Sequence, residues 1–197
     1  MDFGLTETQE LIRNSAREFL ADRSDSSVAR AVANGDTEAL ASLWKDVVEL
    51  GWPALTIAKE HGGAGLSFSD LAVLLTELGA SLAPTPIVES AITSRIIERY
   101  GSDALKSDLL PQAAEGDVLI TPAILERDVS WEADSATMAA TKTNNRLVIT
   151  GEKRFVSFAE QATHVLTLVR TDGGEPALVV VPIWKSTGVD QTPLEHV

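Results

Sequence analysis

The chain contains no cysteine, and that absence removes disulfides, thiolate catalysis and cysteine-ligated metals at once. Positive charge is scarce as well. Only 16 Lys and Arg stand against 29 Asp and Glu, a net charge of −13 over 197 residues. Proteins that bind nucleic acid hold phosphates with clustered Lys and Arg, and no such cluster stands out here. Neither nucleic acid nor an anionic membrane is therefore expected as a partner, and an anionic ligand would need a local positive site working against the global field. Long apolar runs are missing too. The stretch 177–182 is among the longest, and it is far too short to span a bilayer. The opening Met1-Asp2-Phe3-Gly4-Leu5-Thr6 has neither the basic nor the apolar segment of a signal peptide. These absences predict a soluble, cytoplasmic protein.

Several chemistries lose support for want of a motif. His61, His164 and His196 are far apart and show no metal-ligand spacing, so no metal site is expected. There is no G-x-S-x-G for a serine hydrolase, and no carboxylate pair identifies itself as catalytic. What remains is ordinary for a globular protein: 44% hydrophobic and 23% charged residues. The length suits one or two domains with a proper core.

The first half reads as helices. Thr6 and Gln9 make a capping box, in which each side chain satisfies a free backbone N–H of the other residue. Leu11, Ile12, Ser15, Ala16, Phe19 and Leu20 then recur at helical spacing. A polar stretch over 23–36 follows, with Asn34-Gly35-Asp36 as a turn before a helix striped by Leu40, Leu43, Trp44, Val47 and Val48. That helix is expected to stop near Gly51. Another begins near Ser67 or Ser69 and carries Leu71, Leu74, Leu75 and Leu78. Ala83-Pro84-Thr85-Pro86 is a rigid connector. Two further helices hold Ile92, Ile96 and Ile97, and Leu105, Leu109 and Leu110.

Near Gly116 the period changes to that of strands. Segments 119–125, 137–143, 146–156, 164–170 and 177–182 are rich in Val, Ile, Thr and Leu, and Asn144-Asn145 reads as a tight hairpin turn. The expectation is an α+β chain: a helical domain over 1–116, then a small antiparallel β-barrel or sandwich over 117–197.

Two motifs stand out. Glu60-His61-Gly62-Gly63-Ala64-Gly65 resembles a phosphate-cradling loop only superficially. No strand precedes it and no Lys-Ser/Thr follows, so it reads as a structural turn between helices. Gly151-Glu152-Lys153-Arg154-Phe155-Val156-Ser157 reads as a turn and then a strand, which would place Phe155 and Ser157 on one face. An aromatic wall beside a hydroxyl suits a planar, polar-edged heterocycle. A strand with one core Phe and one edge Ser is the plainer reading of the same residues.

Taken in order, these segments resemble the acyl-CoA dehydrogenase family. The resemblance is carried by Leu5-Thr6-Glu7-Thr8-Gln9-Glu10-Leu11, by Leu43-Trp44 and Glu49-Leu50-Gly51-Trp52, and by the Glu60–Gly65 loop. Leu75-Thr76-Glu77-Leu78-Gly79, Leu110-Pro111 and the Gly151 to Ser157 motif complete it. It covers essentially the whole chain. Leu82-Ala83-Pro84-Thr85-Pro86 further resembles an actinobacterial branch that acts on bulky or steroid-linked acyl-CoA. The resemblance implies FAD, an acyl-CoA substrate and α,β-dehydrogenation, in which a carboxylate base removes the α-proton and the β-hydride goes to the flavin. It also implies a homo- or hetero-oligomer with an acyl-CoA dehydrogenase subunit, and an electron-transfer flavoprotein as a possible electron acceptor.

Residue by residue, Phe155 matches the family's flavin-walling aromatic, Ser157 the hydroxyl near the reactive nitrogen, and Val156 the backbone contact between them. Ala123, Ile124 and Leu125 lie where the family lines the flavin. Leu125 replaces the usual hydroxyl residue, which implies one missing hydrogen bond; Leu125→Thr is then expected to strengthen FAD binding. Arg127 replaces a Pro and Phe158 a polar residue. The family's Gly-Ser-Asp is absent, and Ser130, one place out of register, is the substrate-binding candidate. The family continues into a C-terminal helical bundle that carries the catalytic Glu. Nothing here matches that base, so no catalytic residue is assigned and no turnover is expected of these residues alone. Two readings stay open: an FAD-dependent dehydrogenase present as an N-terminal portion, or a degenerate, non-catalytic companion of an active subunit.

Overall fold

The computed structural model describes residues 4–144, 146–183 and 188–193; His196 and Asn145 lie outside that set. The chain divides into two compact units, Met1–Asp117 and Val118–Val197.

The first unit is helical: α1 (Glu7–Arg23), α2 (Ser26–Ala33), α3 (Thr37–Glu49), α4 (Phe68–Ser81), α5 (Ile87–Tyr100) and α6 (Asp103–Ala114). The Thr6–Gln9 capping box forms as expected, and Ser67 with Asp70 makes a second one at the start of α4. The two boxes are tied together, because the Gln9 amide donates to Asp70 Oδ1 at 2.9 Å. The core gathers Ala16 and Leu20 of α1, Leu43 and Val47 of α3, and Leu71, Leu74 and Leu78 of α4. Trp52 joins them and meets Phe19 edge-on, with ring centroids 5.3 Å apart. Each fully buried Leu contributes about 1.5–3 kcal/mol through removal of apolar surface from water.

Three helical expectations need correction. The polar stretch 23–36 contains α2, whose N-cap Asp25 accepts from the Ser27 and Val28 N–H groups. Leu11 lies off the buried arc of α1 and is 65% exposed. Ile92 is likewise exposed; the buried face of α5 is made of Ile87, Ser90, Ala91, Thr93, Ser94 and Ile97. The glycine loop is the structural turn expected. Gly65 N–H donates to the Ile57 carbonyl at 2.8 Å, and a Cβ at Gly63 would lie 2.0 Å from that same oxygen.

The second unit holds β1 (Ile120–Ala123), β2 (Ala139–Thr143), β3 (Arg146–Thr150), β4 (His164–Thr171) and β5 (Pro176–Pro182). The expected hairpin is present: β2 and β3 pair antiparallel with Thr143 opposite Arg146, and Asn144 has φ +47°. The sheet as a whole is mixed rather than antiparallel. β4 is central, with β5 antiparallel along one side. On its other side β1 pairs parallel to 164–167 and β2 parallel to 170–171. Parallel pairs need long crossovers, and β1 reaches β4 only after the whole β2–β3 hairpin has intervened. Among the described residues this is one five-stranded sheet, not two packed layers.

The expected strand 146–156 is also shorter. β3 ends at Thr150, and residues 151–156 pair with no strand. Gly151 has φ +154°, and a Cβ there would lie 2.7 Å from Met138 Cγ. The chain leaves the ladder at a position only glycine fills without strain.

Candidate functional site

The site is built where the exit of β1 meets the segment after Gly151. Ile120 and Thr121 are fully buried, and Ala123 and Leu125 are buried with them. Thr167 of β4 donates its hydroxyl to the Ala123 carbonyl at 2.8 Å, fixing the end of β1 from the neighbouring strand. Beyond it the Arg154 N–H donates to the Leu125 carbonyl at 2.8 Å. Thr121 Oγ1 donates to the Ser157 carbonyl at 2.7 Å. The structure therefore brings the end of β1 and its exit, Ala123, Ile124 and Leu125, beside the Phe155, Val156 and Ser157 segment, which is a pinned loop and not a strand.

Phe155 and Ser157 are both exposed, Phe155 to 57%, and Val156 is half-buried. Phe155 sits in the left-handed region with φ +55°, and Phe158 follows with φ +52°. For a non-glycine residue that conformation costs about 1–2 kcal/mol, and such strain collects at functional positions. The N–H groups of Phe155, Val156 and Ser157 have no acceptor among the described residues. Together they present a ring face, a hydroxyl and three free backbone donors, a donor set that fits the face and polar edge of a flavin. Leu125 does not add to it. Its side chain is buried, so a hydroxyl placed there would lose apolar contact, which works against the expected gain from Leu125→Thr.

Next to these residues lies a partly buried ion pair, Lys153 Nζ to Glu126 Oε1 at 2.7 Å, with side-chain exposures of 6% and 13%. Lys153 also donates to the Ile124 carbonyl at 3.1 Å. Glu126 accepts from the Thr137 N–H at 2.9 Å, from the Met138 N–H at 3.1 Å and from the Thr137 hydroxyl. Burial pushes the Glu126 carboxyl upward. The Lys153 ammonium and the Thr137 and Met138 donors outweigh it and hold the carboxyl at about 2. Sequence spacing does not join the two residues, which lie 27 positions apart.

Ser130 is half-buried, and its Oγ accepts from the Glu132 N–H at 3.2 Å. With Glu126, Arg127, Asp128 and Thr137 it lines a small hollow of about 40 Å³, enough for a water but not for a ring. Trp131 beside it is 74% exposed. His61 and His164 fall in different units.

The family profile "Acyl-CoA dehydrogenase, N-terminal domain" matches residues 6–117, more than half of the chain. Acyl-CoA dehydrogenase FadE12 of Mycobacterium tuberculosis is 31% identical over 165 residues, 80% of this chain and 42% of its own length. Among solved structures, the ChsE4-ChsE5 complex from Mycobacterium tuberculosis matches with TM-score 0.82 and 26% identity, over all of this chain and 51% of that one. The Tcur3481-Tcur3483 steroid acyl-CoA dehydrogenase matches with TM-score 0.78 and 25% identity, over 92% of this chain and 49% of that one. The chain thus spans about half the length, or less, of the relatives it matches. On its helical unit, its sheet and its ordered motifs, the chain belongs to the acyl-CoA dehydrogenase family.

Proposed function

We propose that this protein serves FAD-dependent α,β-dehydrogenation of an acyl-CoA thioester, and that its second unit, Val118–Val197, supplies part of the flavin site. The observation that carries this reading is the exposed Phe155 ring with the Ser157 hydroxyl and free N–H groups beside it, pinned to the end of β1. Bound there, a flavin would supply the hydride acceptor that no amino-acid side chain provides. Phe155 would offer the ring face, Ser157 and Val156 would orient the polar edge, and Ala123, Ile124 and Leu125 would form the wall behind it. Ser130 would face the substrate. The α-proton base is not assigned to any residue of this chain. Domains of 1–116 and 117–197 and a cytoplasmic location belong to the same proposal. So do oligomeric assembly and an electron-transfer flavoprotein as electron acceptor.

A second reading has its own support. Leu125 is buried and offers no hydroxyl, and Arg127 to Trp131 depart from the family pattern. A similar chain belongs to a two-protein complex, and another similar chain acts on steroids by its name. A companion subunit in a heteromeric, steroid-directed dehydrogenase accounts for both facts.

Absorption spectra separate the two. Flavin bands that co-elute with the purified protein after incubation with FAD support the first reading. Flavin that appears only when an acyl-CoA dehydrogenase partner is co-purified supports the second. Flavin absent under both conditions removes the site.

A further inference from the structure

Residues 151–157 have no strand partner, yet they are tied to β1 and its exit on both sides of Phe155. Before the ring, Lys153 reaches the Ile124 carbonyl at 3.1 Å and Glu126 at 2.7 Å, and the Arg154 N–H reaches the Leu125 carbonyl at 2.8 Å. After it, Thr121 holds the Ser157 carbonyl at 2.7 Å. Glu126 is itself fixed from a third segment, by Thr137 and Met138. One partly buried pair therefore joins the β1 exit, the entry to β2 and the Phe155 segment. The Phe155 ring is 57% exposed and its φ is +55°, so burial of its own side chain does not impose that backbone. The surrounding ties must impose it.

We infer that Glu126 and Lys153 are positioning residues whose ion pair holds Phe155 in its left-handed, exposed conformation and so sets the ring a flavin would stack on. The identity of the ligand rests on the function proposed above; the hold on the ring does not. Removing either partner leaves the other charge partly buried and without its counter-ion, and the segment then loses its charged side-chain tie to the β1 exit.

Fluorine NMR of the whole chain labelled with 4-fluorophenylalanine tests this without any ligand. The chain has five Phe, and Phe155→Leu identifies the resonance of residue 155. In Lys153→Met the Phe155 resonance is expected to shift or broaden, while that of Phe19, packed on Trp52 in the helical unit, stays in place. Affinity for FAD should fall by roughly tenfold, the effect of losing one charge-assisted contact. An unmoved Phe155 resonance overturns the inference. If Lys153→Met does not fold, Glu126→Gln, which keeps one acceptor oxygen, is read by the same criteria. A moved resonance in a protein that binds no FAD keeps the positioning role and removes the flavin reading.

Discussion

The Glu126 carboxylate gives up water on folding and receives an ammonium and backbone N–H groups in return. Its folded value of about 2 lies below the 4.5 of a free glutamate. A lowered carboxyl pKa contributes stability at pH above 4.5, and that contribution is lost as the pH falls from 4.5 toward 2. Allowing for solvent screening, the contribution is on the order of 1–2 kcal/mol. Glu126→Gln should therefore lower stability at pH 7 and reduce the further loss between pH 5 and pH 3. Urea melts followed by circular dichroism at both pH values check this, and equal pH slopes in the two proteins would contradict it. The pairing of Glu126 with Lys153 was not legible in the sequence. The residues lie 27 positions apart, and only the return of the chain after the β2–β3 hairpin brings them within 2.7 Å.

At the scale of elements, helix starts were legible because a cap is a local device. Thr6 with Gln9 and Ser67 with Asp70 announce α1 and α4 through residues three apart. Faces were less legible. Leu11 fits the apolar spacing of α1 but points away from its buried arc, and α5 buries Ser90, Thr93 and Ser94, which an apolar count overlooks. The early end of β3 turns on Gly151. Its φ of +154° and the 2.7 Å approach to Met138 predict that Gly151→Ala costs about 1–3 kcal/mol. A fall in thermal midpoint without loss of helical signal would place the damage in the β unit. An unchanged midpoint would mean that the turn relaxes freely.

At the scale of the molecule, the helical unit carries its own core, from Ala16 to Ala91, within Met1–Asp117. A segment of residues 1–117 is therefore expected to fold by itself, with a helical circular-dichroism spectrum and a cooperative melt. Leu74→Ala in that segment removes a fully buried side chain and should cost about 2–5 kcal/mol. A non-cooperative melt of the parent segment would show that the core needs the rest of the chain. The net charge of −13 acts at the same scale and discourages binding to nucleic acid throughout.

The sequence by itself determined the local and the compositional: the α+β class, the capped helices, the Asn144 hairpin, the glycine turn and the ordered motifs of the family. These depend on residues close along the chain, where spacing and side-chain chemistry suffice. Only the tertiary structure decided the direction of the strands, the left-handed backbone at Phe155 and the pair of Glu126 with Lys153. Those depend on which distant segments come together, and the energies that select them arise from burial and charge pairing across the fold.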